Sequence, residues 1–522
     1  MFKQSFIAVL FQTISVLVNA QSLQSSFAST ILSNGISARG NSLFAAADNQ
    51  AYWWIHTLEY VETFTEGPAG VVAIQKWSES AAIQSEFVLS SAVCVFDVDA
   101  DNMGNVVLSG IYKDSLMVND ELVLTDANAW SNINNFVLYI NASGDVVQAW
   151  NMDVFSEYGF GYPVVAFGLN NEIFCAGSDY MTGWIYRWEA QDQPQLWLSG
   201  AELKVFGDIE INQNGDVAFA SACFQGLMTI GSQTYTAPYG YNVILAVVDS
   251  LGSCTGIQFI PDITIQFAEV EWLSNGQVLA AGDWYSGGSI GPFELQSPQW
   301  VYSYFLCEME PNGNVTWATS HPVNPNGITG DFEIARRKSI AAAENGEFYL
   351  FGKQRGDVYW TPTLQTNGAI DDVTNEYSGT VIHWQNHQPI SAQLIHGGAL
   401  IEMDQVSIDN GVLAVSGTNE YSDTLQCNDI TVINPQSAFT FLFTSMATPV
   451  GVENGQEPYP IWMVDNIVFD QRIGNYKIWS VMGALVGEGM TMGNELAINA
   501  FNLPVGCYLI QTDHGHLKFM IQ

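Results

Sequence analysis

Positive charge is what this chain has least of: 14 Lys and Arg stand against 53 Asp and Glu in 522 residues, a formal net charge of −39. That imbalance argues against nucleic acid and anionic lipid as partners, because both are polyanions that bind through clustered bases. Charged residues of both signs make up only 13% of the chain, so it is not a disordered acidic tail but a folded protein with a polar Ser, Asn, Gln and Thr surface. Long apolar runs are also missing. The one apolar stretch, residues 6–18, is broken by Gln12, Thr13 and Ser15 and is too short for a membrane span. With Lys3 before it and Val18-Asn19-Ala20 after it, it reads as a secretory signal peptide (residues 1–20) cut after Ala20. Its loss takes the charge from −39 to −40, because residues 1–20 hold Lys3 and no acid.

Metal and catalytic motifs are missing as well. The seven cysteines (Cys94, Cys175, Cys223, Cys254, Cys307, Cys427 and Cys507) include no Cys-x-x-Cys. An odd number leaves a free thiol, and the spacing assigns no disulfide pairing. Cys94, Cys175, Cys223 and Cys307 sit in apolar strand text, where a thiol packs as a small hydrophobe. There is no Gly-x-Ser-x-Gly elbow, no His-Glu-x-x-His helix and no phosphate-binding loop. His383 and His387 are four apart, but in strand and turn text, where that spacing does not place them as it would on a helix.

What the chain does have is a repeat. A turn residue is followed six positions later by a small residue at Gly40 and Ala46, Gly104 and Gly110, Asn171 and Gly177, Gly215 and Ser221, Gly276 and Gly282, Gly346 and Gly352, and Gly411 and Gly417. The clearest copies, DIEINQNGDVAFAS from Asp208 and EVEWLSNGQVLAAG from Glu269, are hairpins: Gly or Asn tolerates the positive φ that a tight turn demands. A second pair of strands follows, as in NFVLYINASGDVVQAW from Asn135. Four strands per unit is the count of a propeller blade, and no hairpin buries its own apolar face alone. The expectation is an all-β chain: a seven-bladed β-propeller over residues 21–444, followed by a linker (445–458) and a small C-terminal β-sandwich (459–522). The last unit lacks a fourth strand, which residues 27–32 would supply to close the ring.

Asp97, Gly104, Asn105, Val107 and Gly110, with Asp208, Ile209, Ile211, Gly215 and Val217, resemble the repeat of secreted β-propeller proteins of Bacteroidetes-type bacteria. GLMTIG from Gly226 and GGSIG from Gly287 are similar to the segment after that repeat's second strand. The resemblance implies architecture and is silent on activity. The C-terminal text NYKIWSVMG, ELAINAFNL and PVGCYLIQTD forms short alternating strands. It resembles the T9SS type A sorting domain of the type IX secretion system, through Val481 with Gly483, the Leu503-Pro504-Val505-Gly506-Cys507-Tyr508 segment and Lys518-Phe519. The family's opening Tyr-Pro-Asn-Pro is reduced to Tyr459-Pro460-Ile461, and the chain ends in Gln522 rather than Lys. The resemblance implies export through the periplasm to the outer-membrane surface or beyond, with the type IX machinery as partner and Leu503, Pro504, Gly506, Tyr508 and Lys518 as sorting signal.

Seven residues before each hairpin turn stand Ser33, Asp97, Val164, Asp208, Glu269, Ser339 and Asp404, each expected at the start of an innermost strand. The acids Asp97, Asp208, Glu269 and Asp404 form a partial carboxylate ring. It could hold Ca²⁺ or, in the plainer reading, accept backbone N–H bonds at the turns entering the blades. No other cofactor is implied. Asp97, Asp99 and Asp101 alternate as in a calcium loop but miss the EF-hand spacing, so they read as a strand end and its turn. Among 16 Trp and 21 Tyr, Trp53, Trp54, Trp284 and Tyr285, with Tyr239, Tyr241, Trp300 and Tyr302, are candidates for ligand stacking, while Trp77, Trp150, Trp317 and Trp384 recur as core positions. The reading is a secreted or surface-anchored binding protein for polysaccharide or another surface protein, with no identifiable catalytic residues. The alternative is an extracellular polysaccharide hydrolase or lyase using channel-mouth carboxylates, which requires two carboxylates about 5–10 Å apart with one strongly perturbed.

Overall fold

The computed structural model describes residues 23–521 except 24, 32–39, 48–50, 65–66, 79–82, 126–132, 156–160, 180, 263–267, 285–287, 296–302, 321–329, 344–345, 362, 369–376, 398–399, 410–411, 421–423, 428–429, 434–437, 446–460, 463–465, 469–473, 481–484, 492–494, 498–505 and 513–514. The signal-peptide reading and most of the linker therefore lie outside the described residues. The chain is all-β: apart from 3-10 turns at Met152–Phe155 and Leu169–Asn171, every described element is a strand, and nearly every pairing is antiparallel. Two compact units separate, Met1–Ser78 with Ile83–Met446, and Glu79–Ala82 with Ala447–Gln522.

The larger unit is built from consecutive four-stranded meanders. The first comprises Ser42–Ala47, Ala51–Phe64, Gly67–Trp77 and the first half of Ile83–Ala100. The second half of that long strand opens the next meander, with Val106–Lys113, Ile133–Ile140 and Val146–Asn151. Then come Gly161–Phe167 to Gln195–Ala201, Phe206–Ile211 to Cys254–Asp262, and Ala268–Trp272 to Val315–Ser320. A further meander starts at Asp331–Ile334 and Ile340–Ala342, which both pair Glu347–Arg355, and continues through Ser378–Gln385 to Gln388–His396. The last joins Leu400–Asp409, Val412–Glu420 and Ala438–Thr444 to Ser25–Thr30, which pairs from Ser25 against Thr444 to Thr30 against Phe439. The N-terminal strand thus completes the sheet begun at the far end of the unit.

The innermost strands are neighbours in a closed cycle: Ser42–Ala47, Ile83–Ala100, Gly161–Phe167, Phe206–Ile211, Ala268–Trp272, Ile340–Ala342, Leu400–Asp409 and back to Ser42–Ala47. Middle strands such as Ser303–Met309 and Ala438–Thr444 are buried at every residue, because each sheet is covered on both faces by its neighbours. Their text is therefore continuously apolar rather than alternating.

The turn residues behave as the repeat requires: Gly104, Gly215, Gly276 and Gly346 have φ between +72° and +87°, and Asn171 has φ +63°. The small residue six positions on has a different cause. A Cβ on Gly110 would lie 2.3 Å from the Cys94 carbonyl oxygen, and one on Gly417 2.2 Å from that of Glu402. In both cases the inner strand bulges there, at Val95/Asp97 and Met403/Gln405, and presses its backbone onto the second strand. One pair was misplaced. Gly40 precedes the first inner strand and Ala46 lies within it; the hairpin connection falls between Ala47 and Ala51.

The smaller unit contains a five-stranded sheet in the order Ile461–Trp462, Gly515–Ile521, Gly506–Thr512, Gly474–Ser480, Leu485–Thr491, and a separate pair, Asn466–Val468 with Glu495–Ala497.

Candidate functional site

The expected carboxylates lie on four different innermost strands, and each is engaged with the strand of the next meander rather than with its own turn. Asp97 accepts the Val165 N–H at 2.8 Å, Asp99 the Phe167 N–H at 2.7 Å, Asp208 the Val270 N–H at 3.1 Å and Asp404 the Ser42 N–H at 2.9 Å. Glu269 accepts both the backbone N–H and the hydroxyl of Ser339. Inner strands of successive sheets do not share a ladder, so these N–H groups need acceptors from outside their own sheet, and a carboxylate supplies the strong, charge-assisted kind. Gln405 does the same with an amide, accepting from the Phe44 N–H at 3.1 Å and donating to its carbonyl at 2.9 Å. Asp101 caps its turn, accepting the Met103 and Asn105 N–H groups. Ser33 lies outside the described residues. Among those described, no group of three or more His, Cys, Asp or Glu is placed to hold a metal ion.

The cluster's counter-charge comes from a segment that sequence reasoning passed over, Arg336-Arg337-Lys338. Lys338 is ion-paired with Glu210 and, at 3.1 Å, with Glu271, and its carbonyl accepts the Val406 N–H at 2.8 Å. Arg336 donates through Nε to Asp404 at 3.0 Å and through Nη2 to the Gly40 carbonyl and Asn41 Oδ1. Arg337 lies over the Phe96 ring, 4.7 Å from its centre. Three adjacent bases in a chain with only 14 were the available signal. Burial opposes the charge of Lys338, but Glu210, Glu271 and Asp208 outweigh it and hold its pKa well above the usual value.

Burial pushes the acids the other way. Asp97 is raised to about 6, against the bonds from Val165 and Val98 and the charge of Lys338. Asp99 is raised to about 8 by burial and then by the neighbouring Glu210 charge. Glu269 reaches about 8 through burial, despite Ser339, and Asp208 is also well raised by burial. Groups that bind protons more tightly folded than unfolded contribute stability that is full below their unfolded pKa and is lost as pH rises through the folded value. His56, lowered to about 4 by burial, has the opposite sign but opposes only below its unfolded pKa of about 6.5. Scanning calorimetry should therefore show Tm rising as pH falls from about 8.5 to about 6.5, and Asp99→Asn should flatten that slope. A Tm that falls across this window, or an unchanged slope in the variant, contradicts the assignment.

The aromatic candidates divide differently from expectation. Trp53 is 0% exposed, and Trp54 and Trp284 are each 3% exposed, so none offers a ring to a ligand. A strand covered on both faces has no solvent side, and adjacent Trp53 and Trp54 point into two different interiors. Trp53 belongs to the core shared by the first two meanders. Trp54 donates to Ser42 Oγ at 2.8 Å and stacks on His56 at 3.9 Å. Tyr285, Trp300 and Tyr302 lie outside the described residues. Trp77, Trp150 and Trp384 are buried as core positions.

Tyr239 and Tyr241 are exposed, and Phe224 joins them. The hairpin Val217–Ile230 with Gln233–Val248 pairs Phe224 with Tyr241, their rings edge to face at 5.5 Å. Asn242, buried beside them, holds Tyr239 by accepting its N–H at 3.1 Å and donating to its carbonyl at 2.7 Å. The Lys204 ammonium lies 5.3 Å from the centre of the Phe224 ring, 4.0 Å from Met181 Sδ and 2.7 Å from Glu202. Met181, Phe224, Tyr239 and Tyr241, between 37% and 60% exposed, thus form one aromatic platform with a cation and an acid at its edge. Strand pairing places it at the end of the sheets away from the Asn212–Gly215 turn.

Of the residues expected to form a sorting signal, Gly506 and Tyr508 lie on Gly506–Thr512 and Lys518 on Gly515–Ile521, with Tyr508 opposite Phe519; Leu503 and Pro504 lie outside the described residues. The six described cysteines are buried. No family model matches the chain, and no curated protein does. Solved structures similar to it include a streptogramin B lyase (10% identity, 80% of this chain and 97% of that one, TM-score 0.36). The polysaccharide lyase Uly1 is similar at 8% identity over 81% and 99% of the two chains, with a TM-score of 0.37. PorZ, a surface component of the type IX secretion system of Porphyromonas gingivalis, is similar at 11% identity over 92% and 70%, with a TM-score of 0.27. At these identities and TM-scores the likenesses assign neither ligand nor activity.

Proposed function

We propose that this is a seven-bladed β-propeller exported by the type IX route, its C-terminal sandwich serving as sorting domain, that acts at or beyond the cell surface by binding polysaccharide or another surface protein. The observation that carries the binding reading is the platform of Met181, Phe224, Tyr239 and Tyr241. Exposed rings held by a buried Asn and an edge-to-face partner offer large contact area with few rotors to freeze. The carboxylates, by contrast, are occupied with inter-strand N–H groups and Lys338, which favours a structural role for them.

The test is a glycan array together with a reducing-sugar release assay, run with and without calcium. Binding without release is expected, and Phe224→Ala with Tyr241→Ala should weaken it by about tenfold or more, the loss of a buried aromatic contact. Sugar release abolished by Asp99→Asn or Glu269→Gln would replace this reading with the hydrolase or lyase alternative. Unchanged binding in the platform variants would move the site elsewhere.

A further inference from the structure

The outer edge of a sheet in this unit is a liability, because its unpaired N–H and C=O groups template further strands. Most meanders solve it alike: a hairpin inserted between the second and third strands of one meander folds back over the outermost strand of the meander before it. Ser115–Val118 with Glu121–Thr125 covers the end of the first meander, where the Asn119 N–H donates to the Val88 carbonyl at 2.9 Å. The extended tip of Val217–Ile230 covers Gln195–Ala201, through Gly231 N–H to the Ser199 carbonyl at 2.8 Å and Ala201 N–H to Thr229 Oγ1 at 2.8 Å. Gly288–Ile290 lies against Cys254–Asp262. Thr424–Cys427 adds to Gln388–His396 as a fifth strand, Ile395 opposite Cys427.

The third meander has no such insertion. Only three residues join its second and third strands, Glu172–Ser178 and Thr182–Glu189. The strand that this missing hairpin would have covered is Val146–Asn151, the outermost of the second meander. Among the described residues it pairs only with Ile133–Ile140. Along it runs a groove of about 640 Å³, lined by Phe87, Val118, Val123, Val146 and Ala149, with the exposed carboxylates of Glu121 and Asp145 at its rim.

We infer that the Val146–Asn151 edge is a strand-addition site for an extended segment of a partner protein, one that alternates apolar with basic residues and takes the place of the missing insertion. The open edge supplies main-chain hydrogen bonds, the apolar side chains of Phe87, Val118, Val146 and Ala149 in the groove meet alternate side chains of the partner, and Glu121 and Asp145 select Lys or Arg on it. A second copy of this chain, with its net charge of −39, is repelled from the same rim. The site is separate from the aromatic platform and stands whether or not that platform binds sugar.

The probe is a fluorescein-labelled synthetic peptide of alternating Lys and Val, seven residues long, titrated with the full chain and followed by anisotropy. The control is a peptide of the same charge with the central Val replaced by Pro, which cannot complete a ladder. The alternating peptide should bind at least about tenfold more tightly than the Pro control, and Glu121→Lys should weaken it about tenfold. Amide exchange across 146–151 should slow on binding. Equal binding of the two peptides would mean charge attraction alone and would overturn strand addition. So would an absence of binding up to about 1 mM, or exchange at 146–151 that the peptide leaves unaltered. Melting of the Glu121→Lys chain at the wild-type temperature separates loss of the site from loss of fold.

Discussion

A chain lacking Ser25–Thr30 should lose on the order of 5 kcal/mol, a large share of the 5–15 kcal/mol that usually separates folded from unfolded states. The strand is the only described partner for one side of Ala438–Thr444, whose seven residues are all buried. Its removal bares that strand's N–H and C=O groups together with the adjoining core of Phe439, Phe441 and Phe443. The hydrogen bond from Thr440 Oγ1 to the Ser29 carbonyl, at 3.3 Å, goes with it. Calorimetry should show a lower melting transition, and light scattering should show association through the bared edge. A synthetic peptide of residues 21–31 should restore part of the loss. A truncated chain that melts with the full-length one and stays monomeric would mean that the ring closes without this strand.

Lys338→Met should cost about 2–4 kcal/mol, below the full penalty for breaking a buried ion pair because Lys338 and its partners keep about a fifth of their surface exposed. Methionine keeps the length of the side chain and removes the charge, leaving Glu210 beside Asp99 and Asp208, and Glu271, without the Lys338 ammonium. The backbone bridge between residue 338 and Gln405 is retained, so the loss reports electrostatics. Adding Glu210→Gln and Glu271→Gln to Lys338→Met should recover most of it, a coupling that denaturant titration of the cycle measures directly. Independent, additive losses would show that the ammonium and the carboxylates do not act as one cluster.

Asp97, Asp208, Glu269 and Asp404 were legible as inner-strand acids because they keep a constant offset from a turn. What they bind was not, because the acceptors and donors meet across a junction between sheets: Asp208 and Val270 are 62 residues apart, Asp404 and Ser42 362. The platform was half legible. Tyr239 and Tyr241 stood out in loop text, whereas Phe224 was not singled out; it lies on the strand Val217–Ile230 and is exposed because that hairpin extends beyond the sheet. The Trp53-Trp54 pair misled for the converse reason, since a strand between two sheets hides both of its faces.

The sequence by itself determined the local units. Gly104, Gly215, Gly276 and Gly346 sit where a positive φ is needed, and the apolar runs on either side are strands, because backbone preference and turn chemistry act within a few residues. Only the tertiary structure decided that Ser25–Thr30 closes onto Ala438–Thr444, that Arg336-Arg337-Lys338 lies among the acids, and that Val146–Asn151, like Val315–Ser320, is left with a single strand partner among the described residues. Those outcomes depend on which surfaces remain to be buried once neighbouring sheets have met, and that is settled by contacts between residues far apart in the chain.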